Sequence, residues 1–497
     1  MTGSSERPWL NLVGGLLLTV GGLIAARAVE LPSGGLIEGT GGIPWVPLLL
    51  GLFLCGSFSW WLFVGRRQKP SLLRGALAGI LCGILAYPVV LLIAELVRRP
   101  PPGIGILRRL LTALEVSAFA LATTGFAAMF TMAIAGAVCA LILRRVYPRR
   151  LRSVRETAGR LIWGLAAAAG VVALVLLAGF TWLTLLPLDK RGLTEPHVLA
   201  APMNHEQALA AYQAVLAEEA KLPLNPRCAS KLLTHGQREA QTIVFLHGVT
   251  NCPAQADELA PKLLGLGYNV YVPRLPGHGM ADQMTDALVP ITAEEYVAAT
   301  EAAIEIGHGL GDEVIVVGLS AGGALTMWSA QYRADVRSTV AMAAFLGPNL
   351  VPAWANRAAT NLLLILPSTM FTWNPLEPLG PPEMDYAYPR VPTRALGQFM
   401  LIGEVVADSA RAVPPLAQGL GVMVNEADFA VNNALAKNIA KDWERHGREV
   451  DLKILPVSMR LLHDLIDPRQ ADANTELAYS LLLEMLPPRP ACAGTPC

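Results

Sequence analysis

The chain has 497 residues, more than one compact domain usually holds, and 53% of them are hydrophobic against 16% charged, a balance tilted towards lipid with a mean hydropathy of +0.43. The 39 basic residues offset 39 acidic ones for a net charge of zero, which excludes the basic surplus of a nucleic-acid binder. Seven cysteines, with no C-x-x-C and no Cys/His cluster at ligand spacing, exclude a disulfide-dense scaffold and give no metal site; no cofactor is expected.

The apolar surplus lies in residues 1–190, the expected membrane block. Five stretches there, at about 9–26, 44–64, 75–97, 116–143 and 161–186, have the roughly 20 residues of helix that a hydrocarbon core requires. Arginines mark their ends at Arg66/Arg67, Arg98/Arg99, Arg108/Arg109 and Arg144/Arg145, where water and headgroups solvate them. The first stretch has Glu6 beside Arg7 and no convincing cleavage pattern, so it is read as a retained helix. No span carries a central Asp, Glu, Lys or His of the kind an ion pathway needs, so the block is expected to be an anchor.

From Asp189 the charged residues spread evenly, as in a soluble domain. A connecting segment (191–241) contains a helix-like stretch, His205–Ala220. Apolar, β-branched runs follow at Thr242–Leu246, Asn269–Val272, Glu313–Val317, Val336–Met342, Gly421–Val424 and Val450–Leu455. Helical patterns at Asp257–Leu266, Thr292–Gly307, Ala321–Tyr332 and Val431–Arg445 alternate with them, which predicts an α/β domain over 242–487 with a mostly parallel sheet covered on both faces. Residues 348–415, rich in Pro, Trp, Tyr and Met, break the rhythm and predict a cap, whose Leu362–Leu366 and Trp373–Tyr388 are expected to shape a pocket. A tail, 488–497, ends the chain.

The chemistry centres on Gly318-Leu319-Ser320-Ala321-Gly322, which follows an apolar strand and opens a helix. That is the context of a G-x-S-x-G elbow, in which a strained turn presents a serine at the sheet edge. A serine hydroxyl needs a histidine to take its proton and a carboxylate to hold that histidine's tautomer, in the chain order Ser, acid, His. Two histidines follow Ser320: His446 ends a helical stretch before Gly447, whereas His463 lies in a loop after the last strand and is the expected base. Asp428, just past Gly421–Val424, is the expected acid; Glu426 is its nearest rival, and Asp464 and Asp467 are too close to His463 to reach around its ring. The backbone N–H groups of Ala321 and Val249 are the expected oxyanion donors. His247 is read as structural, while His278 either lines the site or braces its loop.

The segments HGVTNCP (247–253), RLPGHG (274–279), GLSAGG (318–323), NEADFAVNN (425–433) and LLHDLIDP (461–468) resemble those of α/β-hydrolases related to monoacylglycerol lipases, carboxylesterases and serine aminopeptidase-like hydrolases. The resemblance covers about half the chain and implies an α/β-hydrolase fold with a cap, and hydrolysis of a carboxylic ester through an acyl-serine. An esterase or lipase acting on lipid-like or medium-chain esters beside a bilayer is the leading expectation. An acyltransferase using the same acyl-enzyme and a membrane sensor with a ligand-binding hydrolase domain are the alternatives. Twelve Lys and Arg residues in the short segments on the amino-terminal side of the spans face seven on the other, which places the N-terminus in the cytoplasm and the hydrolase domain outside, periplasmic in a Gram-negative host. There Cys228–Cys252 and Cys492–Cys497 could pair; four free thiols on a cytoplasmic domain is the other reading.

Overall fold

A computed structural model describes residues 15–20, 45–64, 71–97, 125–146, 178–195, 201–372, 384–459, 461–470 and 474–488. The chain divides into two compact units, Met1–Gly179 and Phe180–Cys497.

In the first unit, helices α1 (Trp45–Phe63), α2 (Leu72–Val97) and α3 (Gly125–Val146) occupy the second, third and fourth expected spans. Helices α2 and α3 cross at Gly75 and Gly136, where an added Cβ would meet the other glycine's carbonyl oxygen at 2.1 Å and 1.9 Å. Only 15–20 of the first expected span is described, and 161–177 of the fifth lies outside the described residues. Among the described residues no helix is long and apolar enough to cross a membrane.

The second unit begins earlier than the composition implied. Residues 178–185 are helical, and Asn361 Nδ2 donates to Leu183 O (2.8 Å) and Leu186 O (3.2 Å), so the end of the fifth expected span packs within this unit. Helix α4 (His205–Glu219) starts with a capping box, Asn204 accepting from Gln207 N–H while the Gln207 side chain accepts from Asn204 N–H. A seven-stranded sheet follows, with β1 (Lys231–Leu233), β2 (Glu239–Leu246), β3 (Asn269–Val272), β4 (Gly311–Leu319), β5 (Val336–Met342), β8 (Gly419–Asn425) and β9 (Asp451–Leu455) in the order β1-β3-β2-β4-β5-β8-β9. Strand β1 is antiparallel to β3 and every other pairing is parallel. Central strands such as Val314–Val317 are buried on both faces, which is why they read as unbroken apolar runs rather than as an alternation. The crossovers are helices α5 (Leu259–Gly265), α6 (Ala293–Leu310), α7 (Ala321–Tyr332), α9 (Thr393–Ala412) and α10 (Asn433–Arg445), with α11 (Thr475–Met485) after β9.

The connection between β5 and β8 is not one insertion. It holds α8 (Asn356–Ile365), a small hairpin of β6 (Met370–Thr372) and β7 (Arg390–Pro392), and then α9. Phe399, Met400, Ile402, Val405 and Val406 of α9 lie in the main core, so 393–412 is a covering helix of the sheet, and the part able to act as a cap ends near 392. Its apolar residues recur at three- and four-residue steps, a pattern that the unusual composition of 348–392 obscured. The expected pocket segment 373–383 lies outside the described residues.

The parallel arrangement brings the carboxyl ends of β2, β4, β8 and β9 to one edge. Leu246 pairs with Gly318 and Asn425 with Leu455. The loops that leave this edge carry residues 247–256, Ser320, Asp428 and His463, the position where ligands collect in open α/β sheets.

Candidate active site

Ser320 stands between β4 and α7 with φ 58° and ψ −115°, a left-handed conformation that costs a non-glycine residue about 1–3 kcal/mol. The surroundings impose it. Ser320 N–H donates to Met342 O (3.0 Å) and Phe345 N–H donates to Ser320 O (2.8 Å), so both sides of the residue are tied to the chain leaving β5. The flanking glycines make the turn sterically possible: a Cβ on Gly318 would lie 2.3 Å from Gly322 O, and one on Gly322 would lie 1.9 Å from Leu246 O. Ala321, wholly buried, is the first residue of α7, where a backbone N–H has no partner within the helix.

Asp428 directly follows the turn that ends β8 and is 3% exposed. Its Oδ1 accepts from Ala430 N–H (2.8 Å) and Val431 N–H (3.3 Å), which aims Oδ2 at His463 Nδ1, 2.7 Å away. The rival Glu426 instead pairs with Lys437 at 2.7 Å. Asn425 Nδ2 donates to Leu461 O (2.9 Å) and Leu462 O (3.1 Å), so the end of β8 also holds the backbone that leads to His463. Burial disfavours a charged imidazole, yet the charge and hydrogen bond of Asp428, with the charge of Asp464, raise the His463 pKa above its ordinary value. His446 caps α10 and its Nε2 lies 3.0 Å from Ala410 O, remote in role from this edge.

The loop after β2 is held by two buried histidines. His247 Nδ1 lies 2.9 Å from Gly248 O while its Nε2 accepts from Leu275 N–H (3.1 Å), which fixes the neutral tautomer with the proton on Nδ1. Since Gly248 O is engaged on one side of a trans peptide, the N–H of Val249 points to the other, and among the described residues nothing accepts from it. His278 braces rather than lines the site: its Nε2 lies 2.6 Å from Val249 O and its Nδ1 2.9 Å from Pro276 O. Burial, above all, lowers its pKa to about 4, so the ring is neutral and donates to one of the two carbonyls.

A cavity of about 300 Å³ opens between these loops. Its lining includes Gly248, Val249, Ser320 and His463, with apolar walls from Leu319, Phe345, Met384, Tyr388, Phe429 and Leu462. The structure therefore brings Ser320, His463 and Val249 to one cavity, with Asp428 behind the histidine. The wall from the cap region is 384–389 rather than Leu362–Leu366, three of whose residues, Leu362, Ile365 and Leu366, are exposed. Cys228 and Cys252 form a disulfide that ties the segment before β1 to this loop; Cys492 and Cys497 lie outside the described residues. Among the described residues no group of three or more His, Cys, Asp or Glu is disposed to hold a metal.

Residues 243–458 match the family described as "Alpha/beta hydrolase family". The chain carries an α/β-hydrolase domain. A thermostable monoacylglycerol lipase from Bacillus sp. (strain H-257) is 32% identical over 98 residues, which is 19% of this chain and 36% of that lipase; the chain thus spans about a third of the relative's length. Among solved structures, one concerning two metagenome-derived lipolytic enzymes matches at 22% identity and a TM-score of 0.42, over 52% of this chain and 98% of that one. A Paleococcus ferrophilus monoacylglycerol lipase matches at 17% identity and a TM-score of 0.39, over 51% and 96%.

Pattern reading of the hydrolase domain missed Gln255, Asn251 and the place of Asp464. Gln255 Oε1 accepts from Gly248 N–H (2.9 Å), and its Nε2 donates to Asp464 Oδ2 (2.7 Å), which also accepts from Asn251 Nδ2 (3.3 Å). These partners are more than 200 residues apart, so no local pattern links them. Burial and the nearby Asp467 charge push the Asp464 carboxyl above the usual range.

Proposed function

We propose that the protein is a membrane-anchored serine hydrolase that cleaves carboxylic esters of lipid-like or medium-chain acids through an acyl-serine intermediate. The observation that carries this reading is the Asp428–His463 hydrogen bond of 2.7 Å, with its histidine opening on the same apolar cavity as the strained Ser320. In this reading His463 Nε2 takes the Ser320 proton as Oγ attacks the ester carbonyl, and the Asp428 carboxylate supports the imidazolium that forms. The oxyanion collects the N–H groups of Val249 and Ala321. The alcohol leaves with the proton from His463, and water, deprotonated by the same ring, then releases the acid and restores the serine.

The apolar walls suit an acyl chain better than a charged or sugar-like substrate, and the similarity to a monoacylglycerol lipase supports a lipid ester. Purified protein should hydrolyse p-nitrophenyl esters with a preference for medium acyl chains over acetate. A fluorophosphonate probe should label one residue, located by peptide mass spectrometry at Ser320; active protein labelled elsewhere would refute the assignment.

Anchoring is supported by the apolar character of α1, α2 and α3 and by the glycine-to-glycine crossing of α2 and α3, the small-residue contact typical of helices packed in lipid. The excess of basic residues on the amino-terminal side and the Cys228–Cys252 disulfide support export of the hydrolase domain to an oxidising compartment. A C-terminal alkaline phosphatase fusion should therefore be active and a green fluorescent protein fusion dark, both in the membrane fraction. The opposite pair of signals would reverse the orientation.

A further inference from the structure

The two proposed oxyanion donors are held by different means. The Ala321 N–H is fixed by the first turn of α7, whereas the Val249 N–H belongs to an irregular loop whose direction side chains must impose. His247 and His278 act on the carbonyls of Gly248 and Val249, and Gln255 acts on the N–H of Gly248. Two side chains carry the restraint onward to Asp464, the residue after the proposed base: Asn251, whose own N–H donates to Gly248 O (3.1 Å), reaches it weakly at 3.3 Å, and Gln255, which alone of the two holds the Gly248 N–H, reaches it at 2.7 Å.

The chemistry of Asp464 sets which way that amide faces. Its Oδ1 accepts from Ile466 N–H and Asp467 N–H, both at 3.2 Å, and its Oδ2 accepts from Gln255 and Asn251. Four donors surround two oxygens, so a carboxylate satisfies all of them and a Gln255 amide turned the other way would set oxygen against oxygen. With its nitrogen held by Asp464, Gln255 must present its oxygen to Gly248 N–H. We infer that Asp464 and Gln255 are a positioning pair that sets the Gly248–Val249 peptide and keeps this donor in register with His463. The inference rests on the serine hydrolase reading and adds to it the residues that preorganise the oxyanion site. Such preorganisation matters because the donor must meet the oxyanion, not the ground-state carbonyl, and a displacement of about 1 Å costs about 100-fold in rate.

A charge-swap cycle tests it in the full-length chain. Gln255→Glu keeps an acceptor for Gly248 N–H but sets two carboxylates against each other, and it should lower kcat about 100-fold with KM within about threefold of the parent. Adding Asp464→Asn restores a donor–acceptor pair, the new amide keeping its oxygen on the two backbone N–H groups and turning its nitrogen to the carboxylate introduced at position 255. Asn251 Oδ1, buried and without a partner among the described residues, can then accept from that nitrogen after an amide flip. The double variant should regain at least about tenfold in kcat over Gln255→Glu. Gln255→Met, uncharged and of similar volume, covers the case in which the carboxylate variant does not fold; it should lose kcat equally and gain nothing from Asp464→Asn. Folded single variants with the parental kcat, or a double variant no faster than Gln255→Glu, would overturn the inference. Parental protein that hydrolyses no ester, or that keeps its activity as Ser320→Ala, would instead sink the hydrolase reading itself.

Discussion

Ser320→Ala is expected to reduce ester turnover by a factor on the order of 10⁶, with no fluorophosphonate labelling and an unchanged fold. The size follows from the chemistry: without Oγ no acyl-enzyme forms, and what remains is the weak catalysis of bound water beside the N–H groups of Val249 and Ala321. The fold should survive because the turn is imposed by backbone bonds, from Ser320 N–H to Met342 O and from Phe345 N–H to Ser320 O, which alanine retains. Alanine also meets the positive φ of 58° at a similar steric cost to serine, so the melting temperature should move by no more than about 2–4 °C. Circular dichroism and a thermal melt, run beside hydrolysis of a medium-chain ester, separate loss of chemistry from loss of structure. Turnover within about tenfold of the parent would place the nucleophile elsewhere.

The parts of this site that could be read from sequence are those where one local pattern reports one physical need. The elbow was legible because Gly318 and Gly322 are required by approaches of 2.3 Å and 1.9 Å, which no other residue tolerates. The central strands were legible because burial on both faces turns them into short apolar runs between helices. Asp428 and Glu426 were harder to separate, since both follow β8 and differ only in what they meet. The structure turns Glu426 to Lys437, on α10, and Asp428 to His463. Helix α9 was hidden inside a stretch of capping composition, and the Gly248–Gln255–Asp464 chain depends on loops that only the closed sheet edge brings together. At residues 178–186 sequence alone does not tell the neighbour, because an apolar helix reads alike whether it meets lipid or, as at Asn361 and Trp354, protein.

Asp428→Asn should lower kcat by a factor on the order of 10⁴ while leaving KM nearly unchanged. The amide is almost isosteric, so the effect comes from where its hydrogens must go. Asp428 Oδ1 accepts from Ala430 N–H and Val431 N–H, and an asparagine can meet those two donors only with its oxygen. Its NH₂ then faces His463 Nδ1, which must accept, and the ring proton moves to Nε2. A ring in that tautomer has no lone pair for the Ser320 proton. The pH profile gives a second readout whose sign is fixed. His463 works as a base only when neutral, and Asp428 raises its pKa, so the parental rate should fall as the pH drops through that raised value. Removing the carboxylate charge lowers the histidine pKa, and the acid limb of the residual activity should move to lower pH. Glu426→Gln, which disturbs only the half-exposed pair with Lys437, should keep kcat within about threefold and the acid limb in place. If Glu426→Gln lost the activity and moved the limb while Asp428→Asn did neither, the acid would have to be reassigned and the 2.7 Å contact would be structural only.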